Sequence, residues 1–481
     1  MALIIKQKPL YGDTGGFGAG MPVGQQIIFS VLDAPTVATY FNVKYKAQVS
    51  VYSTTVTAAD SIGVFETTPN NAGAGIWDLR PILETFVSPD NIAPVSSTSL
   101  FSEYKTEDVP NTPIHLTDVF SMNTNTMRKF IINFTVSGSL TATDQVLVID
   151  SATSQEYNIF NGVLQYDNAL TLAYDNYGYA LQTAQAYPDA PIGLYGGGAV
   201  AGQKLLSNAP TTQYANIDDY GTFACLSFLR TNTNADGLGY LNFTYYNSAG
   251  APIGADSIPQ TFTIAQGWQS KLQLMYLGVF PGNLRNWSTT FKALVTAGTI
   301  AYYTVQAQNR TSATLSALYT INVNCATTLG YTPIRLTWLN QWGTWDYYTF
   351  TQKSVKSIST NRAPYHQISG TWNKETLGIS GYQGGRKNFR VNTSEKIKMN
   401  TAFVTEEEGH WFEELINSPE VYILNGYDGD EVSPYYTITN KYVEPVTLTT
   451  SSYTRKTRAN DKLMQYTIEV EKSKNRRTQS V

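Results

Sequence analysis

The side chains best suited to chemistry are few and scattered along this 481-residue chain. His115, His366 and His410 are far apart in sequence, and none sits at a metal-ligand spacing. Cys225 and Cys325 exclude a cysteine metal cluster or a disulfide scaffold, and two buried free thiols are expected. There is no Gly-x-Ser-x-Gly elbow and no signal of a Cys–His pair. Asp428-Gly-Asp-Glu431 lacks the length of an EF-hand loop and reads as an acidic turn. Asp218-Asp219 leaves a pair of glycosidase carboxylates open, because the partner of such a pair can be remote. Gly16, Gly18 and Gly20 are followed by neither Gly-Lys-Ser/Thr nor a helix, so a phosphate loop is not indicated. The expectation is a protein that is not an enzyme and holds no cofactor or metal.

Aromatic and basic side chains remain. The chain has 33 tyrosines and eight tryptophans. Trp338, Trp342 and Trp345 fall within Pro333–Phe350, and Trp372 follows. Aromatic faces stack on sugar rings, so a host surface glycan is one possible partner. Core and subunit-interface packing explains the same residues and is favoured. The basic run Lys472–Arg477 invites nucleic acid. No nucleic-acid motif accompanies it, and a solvated or subunit-contacting tail is expected instead.

The elements that must position these residues are mostly strands. Residues 1–330 hold 14 Lys/Arg and 21 Asp/Glu (−7), and residues 331–481 hold 19 and 16 (+3). Charge density therefore more than doubles near Pro333, which marks a domain boundary. Ile334, Leu336 and Trp338 alternate with Arg335 and Thr337, predicting a strand, a turn at Asn340–Gly343 and a second strand. The spacing of Trp338, Trp342 and Trp345 also fits a helix, but Gly343 and the β-formers around it favour the hairpin. Trp338, Trp342, Trp345 and Trp411 are the expected structural anchors.

Upstream, Asn42–Thr54 alternates apolar and polar residues. A short helix is expected after Asp78 as N-cap, with Pro81 in its first turn. Asn161-Gly162 predicts a two-residue hairpin. Pro281–Asn286 reads as a turn in a run of strands without helices. Downstream, Gly384–Arg390 begins a basic strand, and Thr405 with Glu408 forms a capping box for a helix ending at Asn417. Gly15, Gly16, Phe17 and Gly18 lie in a glycine-rich arm over 10–24 suited to assembly contacts.

The fold expected is mainly β, with tandem β-sandwich (Ig/jelly-roll-like) modules followed by a C-terminal α+β domain with one short helix. Its parts are an N-terminal sandwich over 1–125, a second β region with an extended loop over 126–205, a sandwich over 206–330 and the C-terminal domain over 331–481. The N-terminus has too short an apolar run for a signal peptide, and no stretch reaches the ~18 apolar residues of a membrane helix. No membrane partner is expected.

Several islands carry a resemblance. They are Ile334-Arg-Leu-Thr-Trp-Leu-Asn with the following Gly-x-Trp-Asp-Tyr, Gly75-Ile-Trp-Asp-Leu-Arg-Pro-Ile-Leu, Leu205-Leu-Ser-Asn-Ala-Pro with Phe223–Leu229, Phe403-Val-Thr-Glu-Glu-Glu through Tyr422, and Lys462–Glu471. Together they resemble virion tail and baseplate (ring or hub) proteins of tailed bacteriophages, especially of Bacteroidetes hosts, crAss-like phages included. The resemblance implies a tail, tail ring or baseplate subunit assembled in the host cytoplasm into the virion. Its implied partners are further copies of itself in a ring-like homo-oligomer and other tail, portal-proximal or baseplate proteins. It brings no catalytic residues.

Overall fold

The computed structural model describes residues 2–8, 20–24, 26–52, 59–90, 120–122, 125–154, 156–163, 204–228, 238–259, 272–309, 311–324, 331–424, 443–450, 452–454 and 464–474. The protein is mainly β. It divides into two compact units. The first takes Met1–Cys325, Thr337–Tyr347 and Gly426–Asn440; the second takes Ala326–Leu336, Tyr348–Asn425 and Lys441–Val481.

Two sheets enclose the N-terminal core of the first unit. One has the order β1 (Ile4–Gln7), β3 (Ile28–Leu32), β6 (Ala74–Asp78). The other runs β2 (Gly20–Pro22), β10 (Tyr157–Phe160), β8 (Met127–Ser139), β4 (Phe41–Tyr52), β5 (Ala59–Thr67), with β9 (Leu147–Thr153) also on β8. Strand β4 obeys its sequence pattern, burying Tyr45, Ala47, Val49 and Val51. Phe29 meets Tyr157 edge-on at 5.5 Å, and Tyr157 stacks on Phe130 at 5.4 Å. Such offset and edge contacts add to the burial of large rings. Strands from both sides of residue 125 thus share one sheet and one core.

A second pair of sheets follows. The larger has the order β11 (Thr212–Asn216), β17 (Tyr319–Asn324), β16 (Tyr302–Gln308), β13 (Tyr240–Tyr246), β14 (Pro252–Pro259). The smaller is β12 (Thr222–Phe228), β15 (Leu272–Gly278), β7 (Phe120–Met122). Phe223 of β12 packs on Tyr319 of β17 at 4.8 Å, joining the two.

Three local expectations need correction. Asn161-Gly162 closes no two-residue hairpin: neither residue has positive φ, and β10 pairs antiparallel with β8 and parallel with β2. The stretch expected to be a turn at Pro281–Asn286 is α3 (Pro281–Trp287), followed at once by α4 (Thr289–Thr296). Pro281 fits a first helical turn, where its missing N–H is not needed. Ser288 then caps α4 by accepting a hydrogen bond from the Phe291 N–H at 2.8 Å. After α1 (Ala34–Thr39), the helix expected after Asp78 is only α2 (Arg80–Leu83) with a 3-10 turn. Its N-cap is Leu79, and the Asp78 carboxylate instead accepts from the Arg80 and Ile27 N–H groups.

The sheet of the second unit has the order β19 (Trp345–Phe350), β18 (Ile334–Leu339), β22 (Val421–Leu424), β23 (Val443–Leu448), β24 (Thr467–Lys472), β21 (Gly385–Asn400), β20 (Ser354–Gln367). Strands β18 and β19 carry residues of both units. Helix α5 (Glu406–Asn417) begins and ends where its capping box and Pro419 place it. Thr405 Oγ1 accepts from the Glu408 N–H at 3.2 Å, and the Thr405 N–H donates to Glu408 Oε2 at 2.7 Å. Phe412 of this helix meets Tyr348 at 4.8 Å.

Candidate functional site: a buried tryptophan turn and an exposed basic hairpin

The tryptophan stretch is a hairpin, as its alternation predicts, but it has no polar face. All six residues of β18 are buried, Arg335 and Thr337 included, and Arg335 donates to Thr349 Oγ1 at 2.8 Å. Its turn is organised by Asn340. The Asn340 carboxamide oxygen accepts from the backbone N–H groups of Trp342 and Thr344 and from Thr344 Oγ1. Its amide nitrogen donates to the Leu206 carbonyl at 3.0 Å and to Asp346 at 3.0 Å. Gly343 has φ of 73°, and a Cβ there would stand 1.6 Å from the Asn161 carbonyl oxygen. Only glycine meets both demands.

Trp338, Trp342, Trp345 and Trp411 are each at most 3% exposed. The Trp345 indole donates to the Asp90 carbonyl at 2.8 Å, and the Trp342 indole donates to Asn208 at 3.3 Å. None of the four presents a face to a ligand. Trp338, Trp342 and Trp345 gather at one hairpin, whereas Trp411 lies on α5 in the second unit. Gly15, Gly16, Phe17 and Gly18 lie outside the described residues, as do the end of the basic tail, Cys325, His115 and Asp428–Glu431.

The exposed feature is the β20–β21 hairpin. These strands pair from Ser354↔Met399 out to Gln367↔Gly385, but β24 pairs only with Lys396–Asn400. Ile358–Gln367 and Gly385–Glu395 therefore continue as a two-stranded ribbon past the sheet. Ten residues at ~3.3 Å each give an arm on the order of 30 Å. A bulge between Ala363 and Pro364 leaves Phe389 outside the pairing and 62% exposed. The loop at the end of the arm exposes Ile368, Trp372, Leu377, Ile379 and Tyr382, with Trp372 at 74% and Tyr382 at 76%.

Charge on the arm is one-sided. Lys353 to Lys398 holds nine Lys/Arg and two Glu, a net of +7. Lys396 sits 3.8 Å from both Glu469 and Glu471 at the base, and Glu395 lies 3.8 Å from Lys472. Further out, Arg362, Arg386 and Arg390 make no ion pair among the described residues. A ribbon of two strands is marginally stable alone in water, and a contiguous exposed apolar patch marks an interaction site. The basic strand at Gly384–Arg390 was legible in the sequence, but its partner β20 was not. The signal was available in the net +7 of this segment and in large apolar residues set among Ser, Thr and Asn.

Among the described residues, no three His, Cys, Asp or Glu side chains come together to hold a metal ion. No described helix is long and apolar enough to cross a membrane. No protein-family model matches the sequence, and no curated protein matches it.

Proposed function

We propose that the protein is a structural subunit of a tailed-bacteriophage virion, in the tail, tail ring or baseplate, and that it assembles by laying its β20–β21 arm on a neighbouring copy. The arm carries this reading. It combines a basic ribbon with an apolar, aromatic end, and it lies at an open sheet edge that proteins ordinarily cover or blunt. Complementary charge is available within the same chain: residues 1–330 carry −7 against +7 on the arm. An arm from one subunit docking on a different surface of the next is a heterologous contact, the kind that closes into rings. The sequence islands that resemble phage tail and baseplate proteins suggest the biological setting.

Replacing Ile358–Glu395 by a tight two-residue turn tests this. Mass photometry is expected to show large species for the full chain at low salt and a folded monomer for the shortened one. Raising salt to about 1 M, where charges are screened beyond ~3 Å, is expected to weaken assembly. Unchanged assembly of the shortened protein would overturn the proposal. So would a full chain that stays monomeric alone but shifts with duplex or single-stranded DNA, which would make the arm a nucleic-acid element.

A further inference from the structure

The five-stranded sheet β11-β17-β16-β13-β14 has one side turned inward and one turned to solvent. On the inner side, Asp256 is engaged by Tyr245 Oη at 2.7 Å, by Thr290 Oγ1 at 3.1 Å and by Ser288. The outer side is different. Cross-strand pairing puts Tyr246, Tyr302, Asn322 and Tyr214 in one row. Tyr246 and Tyr302 stack almost parallel, 4.7 Å between centroids and 7° between planes, and each is half-buried. The next residues outward along β13 and β16 are Thr244 with Thr304, then Asn242 with Gln306, each pair directly opposed.

Thr244, Thr304, Asn242 and Gln306, with Ser257 and Gln308, line an open groove of ≈ 400 Å³ that Asp256 also borders, and the Tyr246–Tyr302 pair stands in the next row along the same two strands. The outward side chains of the five strands include no Asp, Glu, Lys, Arg or His. Thr244, Thr304 and Gln306 make no side-chain hydrogen bond among the described residues, and Asn242 accepts one from Ser257.

We propose that this groove binds a neutral oligosaccharide chain. Three features point to that chemistry. Carboxamides and hydroxyls each offer both donors and acceptors, matching sugar hydroxyls, which do the same. At the end of the groove the stacked tyrosine pair offers one free ring face and a polar tip on each side, an amphipathic edge suited to a pyranose. Among the described residues the outward side chains carry no charge, and the Asp256 carboxylate is engaged by Tyr245, Ser288 and Thr290, which complements an uncharged ligand and offers no cation to a phosphate, a sulfate or a uronic acid. A protein partner would need a large apolar centre, and among the described residues Leu318 is the one large aliphatic side chain exposed there. From Tyr302 to Gln308 the strand spans about 20 Å, room for several sugar residues. This site is independent of the arm, which lies in the second unit.

The test uses the full chain and a panel of neutral hexamers of glucose, galactose and mannose in α- and β-linkage, titrated by calorimetry and by NMR. At least one is expected to bind saturably, and 0.5 M NaCl is expected to leave its affinity unchanged, on the order of 1 mM or tighter. Tyr302→Ala is expected to weaken binding about tenfold or more, Gln306→Ala by several-fold, and Tyr302→Phe to retain it, all with unchanged melting temperature. The proposal is overturned if no hexamer binds at about 10 mM, or if binding survives Tyr246→Ala combined with Tyr302→Ala. It is equally overturned if those two substitutions change only the oligomeric mass, which would make the face a subunit contact.

Discussion

Asn340 shows how one side chain fixes a turn. Its carboxamide serves three donors and two acceptors, all within a turn where it is itself 4% exposed. A buried group that loses its partner costs its full desolvation, about 1–3 kcal/mol each. Asn340→Ala is therefore expected to destabilise by about 3 kcal/mol, read as a lower denaturant midpoint at constant m-value. Asn340→Asp keeps the acceptor but turns the donor into a carboxylate oxygen facing the Asp346 carboxylate and the Leu206 carbonyl, so a loss at least as large is expected. Gly343 imposes the complementary constraint, because the Asn161 backbone occupies the space a Cβ would need.

At the scale of elements, legibility followed how local the determinant was. Helix α5 was read correctly from Thr405 and Glu408, since a capping box is written in four consecutive residues. Thr405→Ala is expected to cost about 1 kcal/mol of stability, measured by chemical denaturation. The β18–β19 hairpin was legible from alternation and Gly343, but the burial of Arg335 and Thr337 was not. A strand's alternation shows which residues share a face, not whether both faces are covered, and coverage is set by segments far away in sequence. Helices α3 and α4 are not legible in the sequence because Pro281 and Gly282 look like a turn, and tertiary packing decides otherwise. The outer groove was the least visible of all. Its rows of Thr, Asn and Gln, and the tyrosine pair beside them, exist only once register sets Asn242 against Gln306 and Tyr246 against Tyr302. Sequence alone shows a Tyr-rich chain and cannot separate rings that pack from rings that wait on a surface.

The whole molecule carries its tyrosines as a shared pH liability. Burial, then the hydrogen bond to Glu156, pushes Tyr52 up to about 12 from 10.0. Burial likewise raises Tyr157, Tyr245, Tyr276, Tyr319 and Tyr348. In the unfolded chain these phenols ionise near pH ~10. Keeping them neutral stabilises the fold fully below that value, and the contribution is lost as pH rises through the folded-state values. Melting temperature is thus expected to hold up to about pH 10 and fall steeply toward pH 12, with tyrosinate absorbance rising in step with unfolding. A melting curve flat through that window would contradict it. The first unit also has a consequence for synthesis. Its chain is interrupted: Thr337–Tyr347 belongs to it, yet Ala326–Leu336 does not. The Leu206 carbonyl therefore receives the Asn340 and Thr344 donors only after the ribosome has moved on past residue 344. For the seconds that takes, the nascent first 325 residues wait for a peg that is made later than the hole it fills.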